Sequence, residues 1–478
     1  MNIELLLAHA DDHRPVLEEG LPVEATWQAP RPRHGSRADV PTWAAVEADP
    51  NDLKQQRWGV IAPSGEEGDR LLEAIAPLVR LREEEQGAPA RVYRVDAALD
   101  EAASRRWTQR VYHAEQEPEH ERPRYLLILG DLDQVSSELQ QSLVHAAFVG
   151  RLHAGAASGA AGADGYATYA AKVVARSAGP AEYEAPDALF HAARDGTRAT
   201  DIGYEALVRP CLESAEAWRK RGALAAARVV ELRGAAGGPE ALLDAAAGPR
   251  PSVLLSVSHG LGAPHGGWPS PEQQRAKQGA LMLEDGRLLD AETMARARFL
   301  PGGMWFCVAC FGAGTPHASA FYPWLSVLAQ AGVRTGRPEA VLEGLPRGGD
   351  RAFIAAMPQA ALANPEGPLA IIGHLDLAWT HSFQDPGFGS RASRMLSAVK
   401  ALVQGGRAGV ALEALMRFYR EANDELMASY QAEEDARAWA KPDPTDRRAR
   451  GDRWMLRNDL RGYVLLGDPA ARLTLRGS

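Results

Sequence analysis

Short apolar runs alternate with longer amphipathic stretches from Trp58 onward, and this alternation limits the possible folds more than any other feature of the chain. Residues 59–63 form a run of strand length, whereas residues 69–87 have the period of an amphipathic helix. Strands that alternate with helices are typical of parallel sheets, because parallel neighbours need long crossover connections. The sequence therefore predicts an α/β protein with parallel sheets and flanking helices.

The length of the chain indicates more than one folding unit. At 478 residues it exceeds what a single hydrophobic core usually serves. Residues 1–56 contain prolines, charges and no sustained period, so we expect an N-terminal extension that lies as an extended arm over a folded body. We then expect a first α/β subdomain over residues 57–215 and a second over residues 216–478.

Charge and cysteine content exclude several classes of protein. The formal net charge is −9 and Lys and Arg form no stripe, so we expect no nucleic-acid partner. No stretch approaches the roughly 18 apolar residues of a membrane span, and the first residues lack the basic region and long apolar core of a secretory signal. Cys211, Cys307 and Cys310 are too few for a disulfide framework and fit a reducing compartment. We expect a cytoplasmic protein with no membrane partner.

Two apolar runs in the second predicted subdomain end at reactive side chains. Residues 252–257 lead into His259, and residues 304–308 lead into Cys310. The 51 positions that separate this pair leave room for a strand, a crossover helix and a second parallel strand. Both side chains would then emerge at the same edge of a sheet, where open α/β sheets carry their sites.

The surroundings of this pair suit acyl transfer by a thiol. A cysteine nucleophile needs a nearby base and donors directed at the developing oxyanion. Gly260 leaves the imidazole of His259 with little steric cover, and the N–H groups of Gly260 and Cys310 could both face a scissile carbonyl. Taken singly, a buried cysteine is usually a small core side chain, and a histidine after a strand is usually a satisfied polar group. Their interval, close to the roughly 50 residues between histidine and cysteine in caspases, favours a catalytic pair.

A zinc site is an alternative use of the same side chains. Cys307 and Cys310 form a C-x-x-C pair, and His259 with His265 could complete a Cys₂His₂ set. Side chains three residues apart on a strand point to opposite faces, however, so one ion would not receive both sulfurs. We therefore expect no metal and no organic cofactor, and we assign Cys307 to the core.

The same motifs carry a family resemblance. VLLSVSHG and WFCVACFGAG resemble the caspase-like (caspase-hemoglobinase) fold of clan CD cysteine peptidases, while YLLILGD, FVGRL and LLGDPAARL resemble its gingipain-type and CHAT-like bacterial members. The resemblance implies an inactive first subdomain beside a catalytic one. In the catalytic subdomain it implies Cys310 as nucleophile, His259 as general acid and base, and the Gly260 and Cys310 N–H groups as oxyanion donors.

That resemblance also implies a function. It points to a cysteine endopeptidase that hydrolyses protein or peptide substrates without a cofactor. Because the chain lacks a secretion signal and the caspase sequence Q-A-C-x-G, neither extracellular digestion nor cleavage after aspartate carries over. An intracellular bacterial regulatory or defence protease is the implied role. The alternative is a catalytically inactive caspase-like scaffold that binds a regulatory protein partner through the same cleft.

The sequence indicates the substrate-binding residues less clearly than it indicates His259 and Cys310. A pocket for a basic residue would need a carboxylate, and Asp195 and Asp201 are the candidates, with helix caps or surface turns as the alternative for both. His374, Asp376 and Trp379 follow another predicted buried strand. His374 could be a rival base, but the family order places the histidine before the cysteine. We therefore expect this stretch to shape the cleft, with a core strand and a cap as the alternative.

Overall fold

The computed structural model describes residues 2–31, 48–96, 99–114, 118–155, 163–232, 238–333, 336–347, 349–385 and 389–476. The middle of the predicted arm, residues 32–47, lies outside this description. The strands of the described residues are β1 (Asn2–Ile3), β2 (Leu7–Ala8), β3 (Leu21–Pro22), β4 (Trp58–Pro63), β5 (Arg91–Val95), β6 (Tyr125–Leu129), β7 (Phe148–Leu152), β8 (Asp187–Ala192), β9 (Arg228–Leu232), β10 (Ser252–Val257), β11 (His259–Leu261), β12 (Leu281–Met282), β13 (Leu288–Leu289), β14 (Met304–Val308), β15 (Gly314–Thr315), β16 (Phe353–Ile354), β17 (Ala370–His374), β18 (Gln384–Asp385), β19 (Gly389–Ser390) and β20 (Tyr463–Gly467).

The α-helices of the described residues are α1 (Leu53–Gln56), α2 (Glu66–Ala74), α3 (Ala76–Gln86), α4 (Glu101–Trp107), α5 (Ser137–Leu143), α6 (Asp164–Ala178), α7 (Arg198–Ile202), α8 (Arg209–Lys220), α9 (Gly238–Ala246), α10 (Pro271–Lys277), α11 (Ala291–Arg296), α12 (Tyr322–Gln330), α13 (Pro338–Gly344), α14 (Ala356–Ala363), α15 (Ser393–Val403), α16 (Ala408–Ala438) and α17 (Arg447–Arg461). Short 3₁₀ or π segments cover Val23–Gln28, Thr108–Tyr112, Glu119–Glu121, Gly203–Val208 and Thr380–Ser382. Across the described ranges, no helix combines the length and apolar character that a bilayer crossing requires.

A ten-stranded sheet in the order β5-β4-β6-β7-β20-β17-β14-β10-β8-β9 organises the described chain. Neighbouring strands in this sheet pair in parallel, except that β17 and β20 pair antiparallel. The strands in the two halves of the sheet therefore run in opposite directions. The predicted α/β class with a large parallel-rich sheet is confirmed.

Central strands of this sheet are buried along their whole length. β6, β10, β14 and β17 have no exposed position, which is the pattern of parallel strands covered by helices on both faces. The boundary predicted between residues 215 and 216 does not separate the two halves of the sheet, because β8 precedes it but lies between β9 and β10. The division into two subdomains itself stays a prediction.

The second half of the sheet collects four strand ends at one edge. β17, β14, β10 and β8 are consecutive parallel neighbours, so their carboxyl ends lie side by side. β10 and β14 pair directly, in a register that runs from Val253 opposite Met304 to Val257 opposite Val308. The interval between His259 and Cys310 predicts this pairing of neighbouring parallel strands.

The start of the predicted arm is built into the fold. β2 pairs in parallel with β11 as the edge of a four-stranded sheet in the order β13-β12-β11-β2, and β1 pairs antiparallel with β3. Leu5, Leu6 and Leu7 are buried. This part of the arm is therefore extended, as predicted. It does not lie on the surface of the folded body, however, but forms a buried strand that pairs beside His259.

Candidate active site

His259 and Cys310 leave the sheet just beyond two neighbouring central strands. β10 ends at Val257, two residues before His259, and β14 ends at Val308, two residues before Cys310. The two chain ends then approach so closely that a Cβ at Gly260 would lie 1.9 Å from the carbonyl oxygen of Cys310. Only glycine permits this approach. Gly260 therefore serves the site by letting the cysteine backbone come near, while the imidazole of His259, for which we expect little steric cover, is fully buried.

The turn after Cys310 is held in an uncommon conformation. Phe311 has φ of 55°, in the left-handed region that residues other than glycine seldom occupy. Its N–H donates to the carbonyl of Asp376 at 2.9 Å, and the N–H of Ala313 donates to the carbonyl of His374 at 2.9 Å. Backbone conformations of this kind persist where the surroundings fix them, and they cluster at functional sites. The segment after β17 thus fixes the turn that presents Cys310.

A polar network holds the imidazole of His259. Its Nε2 lies 2.8 Å from the hydroxyl oxygen of Thr197 and 3.6 Å from Oδ2 of Asp195. Oδ1 of Asp195 accepts hydrogen bonds from the N–H and hydroxyl of Thr197 and from the hydroxyl of Thr200. Burial lowers the pKa of His259, and the negative charge of Asp195 acts against this shift. Within the described chain Nδ1 has no hydrogen-bond partner, so it is the ring nitrogen open to proton transfer.

The thiol of Cys310 is fully buried. Its sulfur accepts a hydrogen bond from the N–H of Ala378 at 3.1 Å and lies 3.6 Å from the carbonyl oxygen of the same residue. Burial raises the pKa of Cys310 well above its ordinary value, because a thiolate would lose its hydration. The thiol is therefore protonated in this conformation, and its hydrogen-bonding partner is the Ala378 backbone.

The N–H groups of Gly260 and Cys310 converge on one acceptor. Both donate to the carbonyl oxygen of Leu6, at 3.0 Å and 3.2 Å respectively. Two backbone donors directed at a single carbonyl oxygen are the arrangement of an oxyanion hole. The sequence predicts that these two N–H groups face the carbonyl of a scissile peptide bond. In the structure they bind the carbonyl of Leu6, which belongs to the same chain.

We call residues 4–8 the cleft segment. From Glu4 to Leu6, its backbone forms hydrogen bonds with the residues that follow β17. The N–H of Leu6 donates to the carbonyl of Ala378 at 3.1 Å. Two residues earlier, the carbonyl of Glu4 accepts from the N–H of Thr380 at 3.0 Å, and the N–H of Glu4 donates to the hydroxyl of Thr380 at 3.0 Å. The backbone after β17 therefore provides an edge for an extended peptide.

The cleft segment changes partner after Leu6. Leu7 pairs with Gly260, and the carbonyl of Ala8 accepts from the N–H of Gly262 at 2.8 Å. The carbonyl of Leu7 accepts from the N–H of Val16 at 2.9 Å. The bond between Leu6 and Leu7 thus lies where the peptide passes from one edge of the cleft to the other.

His374 and Asp376, two of the predicted cleft residues, form hydrogen bonds that hold the loop after β17. Nδ1 of His374 lies 2.9 Å from the carbonyl oxygen of Asp376, and Nε2 lies 2.8 Å from the carbonyl oxygen of Asp459. The carboxylate of Asp376 accepts from the N–H groups of Ala320 at 2.7 Å and Leu377 at 2.8 Å. Both ring nitrogens of His374 are therefore engaged, which leaves neither for the role of a rival base.

Trp379 is buried, whereas Asp201 is exposed to solvent. The indole of Trp379 is buried against Phe321 and Trp324, with ring centroids 5.9 Å and 5.5 Å apart, while its neighbours in the chain contact the cleft segment. The carboxylate of Asp201 is 44% exposed and pairs with Arg194 at 3.2 Å. Direct substrate contacts by these two residues stay predictions.

Cys307 and the possible metal ligands lie apart from this arrangement. Cys307 is buried in β14, and burial raises its pKa to about 12. Within the described ranges, the residues that approach one another closely enough to hold a metal ion are His9, Asp11 and His265, and neither cysteine belongs to this group. The Cys₂His₂ alternative thus has no geometric support in the described chain.

Thr197 and the cleft segment are the parts of the site that sequence reasoning missed. Thr197 precedes α7 in a polar stretch, and nothing in its sequence neighbourhood indicates the histidine 62 positions later. The apolar run at residues 5–8 signals burial, but a run of four residues does not identify the surface that buries it. Both contacts depend on long-range packing.

Comparisons with known proteins give a distant similarity of fold. No protein-family model and no curated protein matches the chain. Among solved structures, the chain is similar to the crystal structure of the Arg-specific cysteine proteinase gingipain R, at 12% identity and a TM-score of 0.45 over 90% of this chain and 81% of that one. It is also similar to a structure described as a protease, at 12% identity and a TM-score of 0.41 over 88% and 80%. Values this low do not assign the chain to a family, so its function is argued from the site.

Proposed function

We propose that this protein is a cysteine endopeptidase with Cys310 as nucleophile and His259 as general acid and base. The convergence of the Gly260 and Cys310 N–H groups on one peptide carbonyl oxygen is the observation that carries the proposal. A peptide carbonyl polarised by two donors, one from the cysteine itself and one from the residue after the histidine, is the arrangement that acyl transfer by a thiol requires.

Acylation uses the groups in a defined order. Nδ1 of His259 takes the thiol proton as the sulfur of Cys310 attacks the carbonyl carbon, and the new S–C bond leaves a negative charge on oxygen. The N–H groups of Gly260 and Cys310 stabilise that oxyanion. Collapse of the intermediate breaks the C–N bond, and His259 gives its proton to the leaving amine.

Deacylation reverses the proton path. His259 removes a proton from water, the water oxygen bonds to the acyl carbon, and the S–C bond breaks as the proton returns to sulfur. The net reaction consumes one peptide bond and one water and yields one carboxyl and one amino group. The chemistry balances with these residues and water alone.

Asp195 supports the proposal as a positioning residue. Its Oδ2 lies 3.6 Å from Nε2 of His259, where a negative charge favours the imidazolium that forms during both steps. Burial acts in the opposite direction and lowers the pKa of His259. The carboxylate thus offsets part of the cost of charging a buried ring.

A proteome-derived peptide library tests the proposal. In a full-length variant whose cleft segment is displaced, we expect Cys310→Ala and His259→Ala to abolish cleavage, whereas Cys307→Ala retains it. Cleavage by Cys310→Ala would contradict the assignment. The absence of cleavage by every form, including variants in which the cleft segment is displaced, would favour the inactive scaffold.

The finer role is proposed from the sequence. We infer protein or peptide substrates, a regulatory or defence function in a bacterial cytoplasm, and control by cleavage, a small signal or a regulatory partner. Profiles of cleaved proteins in cells that express the wild type or Cys310→Ala test this role. Identical profiles would contradict it.

A further inference from the structure

We propose that the cleft segment is bound as a substrate is bound, with Leu6 before the bond to be cleaved, so that the enzyme cleaves after leucine and stays inactive until this segment leaves. The inference rests on the proposed peptidase function and adds the substrate class and the regulation of the same site.

The position of the Leu6 carbonyl sets the register. The residue whose carbonyl oxygen lies between the oxyanion donors is the residue whose carbonyl carbon is attacked. The Gly260 and Cys310 N–H groups both donate to Leu6. The peptide bond in the position to be cleaved is therefore Leu6–Leu7, and Glu4 lies two residues before the attacked leucine.

The main-chain contacts are those of an added strand. The segment binds through the N–H of Leu6 and through both the N–H and the carbonyl of Glu4, two residues away. Alternate residues bonded to one edge are the mark of an extended peptide that joins a strand edge, a mode that many peptide-binding sites use. These contacts involve backbone atoms of the bound segment, so a peptide of another sequence can form them too.

The side-chain environment selects for an apolar residue. Leu6 is 0% exposed and belongs to the main apolar core, where burial of an apolar side chain is favourable. A charged side chain at this fully buried position would lose its hydration. The carboxylates predicted for a basic pocket have other partners: Asp195 accepts from Thr197 and Asp201 pairs with Arg194. The site therefore takes leucine where a basic pocket would take arginine.

The bound segment explains why its own peptide bond survives. The thiol of Cys310 is hydrogen-bonded to the Ala378 backbone, and Nδ1 of His259, the nitrogen that would take the thiol proton, has no hydrogen-bond partner within the described chain. Both His259 and Cys310 are 0% exposed, so neither water nor another peptide reaches them. Because the segment is tethered, its effective concentration is high and a free substrate competes poorly.

An ion pair at one end of the segment offers a way to open the cleft. Oε1 of Glu4, which is 2% exposed, accepts from Nε of Arg198 at 3.1 Å. The side chain of Arg198 is 63% exposed, so its replacement disturbs little else. Arg198→Glu places a second negative charge beside a buried carboxylate, which favours departure of the segment.

The test measures hydrolysis of Gln-Leu-Leu and Gln-Leu-Arg aminocoumarin amides by the full-length protein, with an uncharged residue at the position of Glu4 so that Arg198→Glu does not repel the peptide. Arg198→Glu and Leu6→Glu displace the segment, while Arg198→Lys and Leu6→Met are the matched controls. We expect the two displacing variants to raise kcat/KM on the leucine peptide by about tenfold or more, and the controls to stay within about twofold of wild type. We also expect the displaced forms to prefer the leucine peptide to the arginine peptide by about tenfold or more.

The outcomes separate the two proposals. Displaced variants that are no faster than wild type overturn the latency, and displaced variants that prefer the arginine peptide overturn the leucine assignment, while the peptidase function stands in both cases. If no form cleaves either peptide or any member of the library, the peptidase function fails and this inference fails with it. If Leu6→Glu does not fold, Arg198→Glu decides the result, because its altered side chain lies mostly in solvent.

Discussion

The carbonyl oxygen of Leu6 lies 3.2 Å from the backbone nitrogen of Cys310, the residue that carries the candidate nucleophile. One residue thus supplies both the thiol and a donor to the carbonyl beside it. The second donor, the N–H of Gly260, comes from the strand end that carries His259. The structure is therefore that of an occupied cleft, in which the chain holds its own peptide.

Gly260→Ala should remove activity while the fold survives. The added Cβ would lie 1.9 Å from the carbonyl oxygen of Cys310, so the two strand ends must separate and the oxyanion donors no longer converge. Loss of one such donor costs about 10²–10³ in kcat, and we expect at least this loss on a leucine peptide in the Arg198→Glu background. Gly248→Ala is the control, since a Cβ there meets no atom within 4 Å. Equal activity of the two variants would contradict the role of Gly260.

Alkylation should distinguish Cys310 from the other thiols once the cleft opens. Burial raises the pKa of Cys211, Cys307 and Cys310, so iodoacetamide should modify all three slowly in the wild type at pH 7.5 and faster as pH rises. In Arg198→Glu we expect Cys310 alone to react about tenfold or more faster, as peptide mapping by mass spectrometry would measure. A fast thiol at pH 7.5 in the wild type would be inconsistent with a closed cleft.

Asp195→Asn should change the pH dependence of catalysis. The carboxylate raises the pKa of His259 against the effect of burial, so its loss should lower that pKa. His259 must be uncharged to take the thiol proton, so the acidic limb of the kcat/KM profile, which reports the pKa of His259 in the free enzyme, should move to lower pH. We expect kcat to fall about tenfold in the Arg198→Glu background.

The matched control for this profile is Asp285→Asn, which removes an exposed carboxylate paired with Arg287. It should leave the profile unchanged. A profile for Asp195→Asn that overlays that of the control would show that the carboxylate does not act through His259.

His145 should make the fold sensitive to acid. Burial, assisted by the positive charge of Arg420, lowers the pKa of His145 from 6.5 to about 4. The unfolded chain takes up this proton as pH falls below 6.5 while the folded chain does not, so stability is lost between about pH 6.5 and pH 4. We expect the free energy of unfolding of the wild type to fall by about 2 kcal/mol more than that of His145→Gln between pH 7.5 and pH 4.5. Urea unfolding checks this, and equal losses in the two proteins would rule out His145 as the source.

The sequence predicts β10 and β14 well because the information that specifies them is local. The runs that become β10 and β14 are continuous and apolar, and the interval between His259 and Cys310 has the length of one crossover unit. Their parallel pairing then follows from the usual geometry of such units. The small number of cysteines is likewise readable from the chain alone, whereas the strand-parity argument about Cys307 and Cys310 does not apply, because β14 ends at Val308 and Cys310 lies beyond it.

Other features depend on contacts that no local pattern contains. β8 has the sequence DALFHA, in which a histidine and polar flanks obscure a strand that is buried at five of its six positions. The helix predicted over residues 69–87 is two helices, α2 and α3, that meet at Ile75. Occupation of the cleft by residues 4–8 joins parts of the chain more than 250 positions apart, and no sequence period carries such a pairing.

Active-site labelling of Arg198→Glu with a Gln-Leu-Leu acyloxymethyl ketone tests the central claim most directly. The thiolate displaces the carboxylate and forms a stable bond to the methylene carbon, so the label marks the nucleophile itself. We predict one label per chain, at Cys310, with a rate that falls about 10²-fold or more in the His259→Ala form of the same variant. Labelling at Cys211 or Cys307, no labelling, or an unchanged rate without His259 would contradict the account.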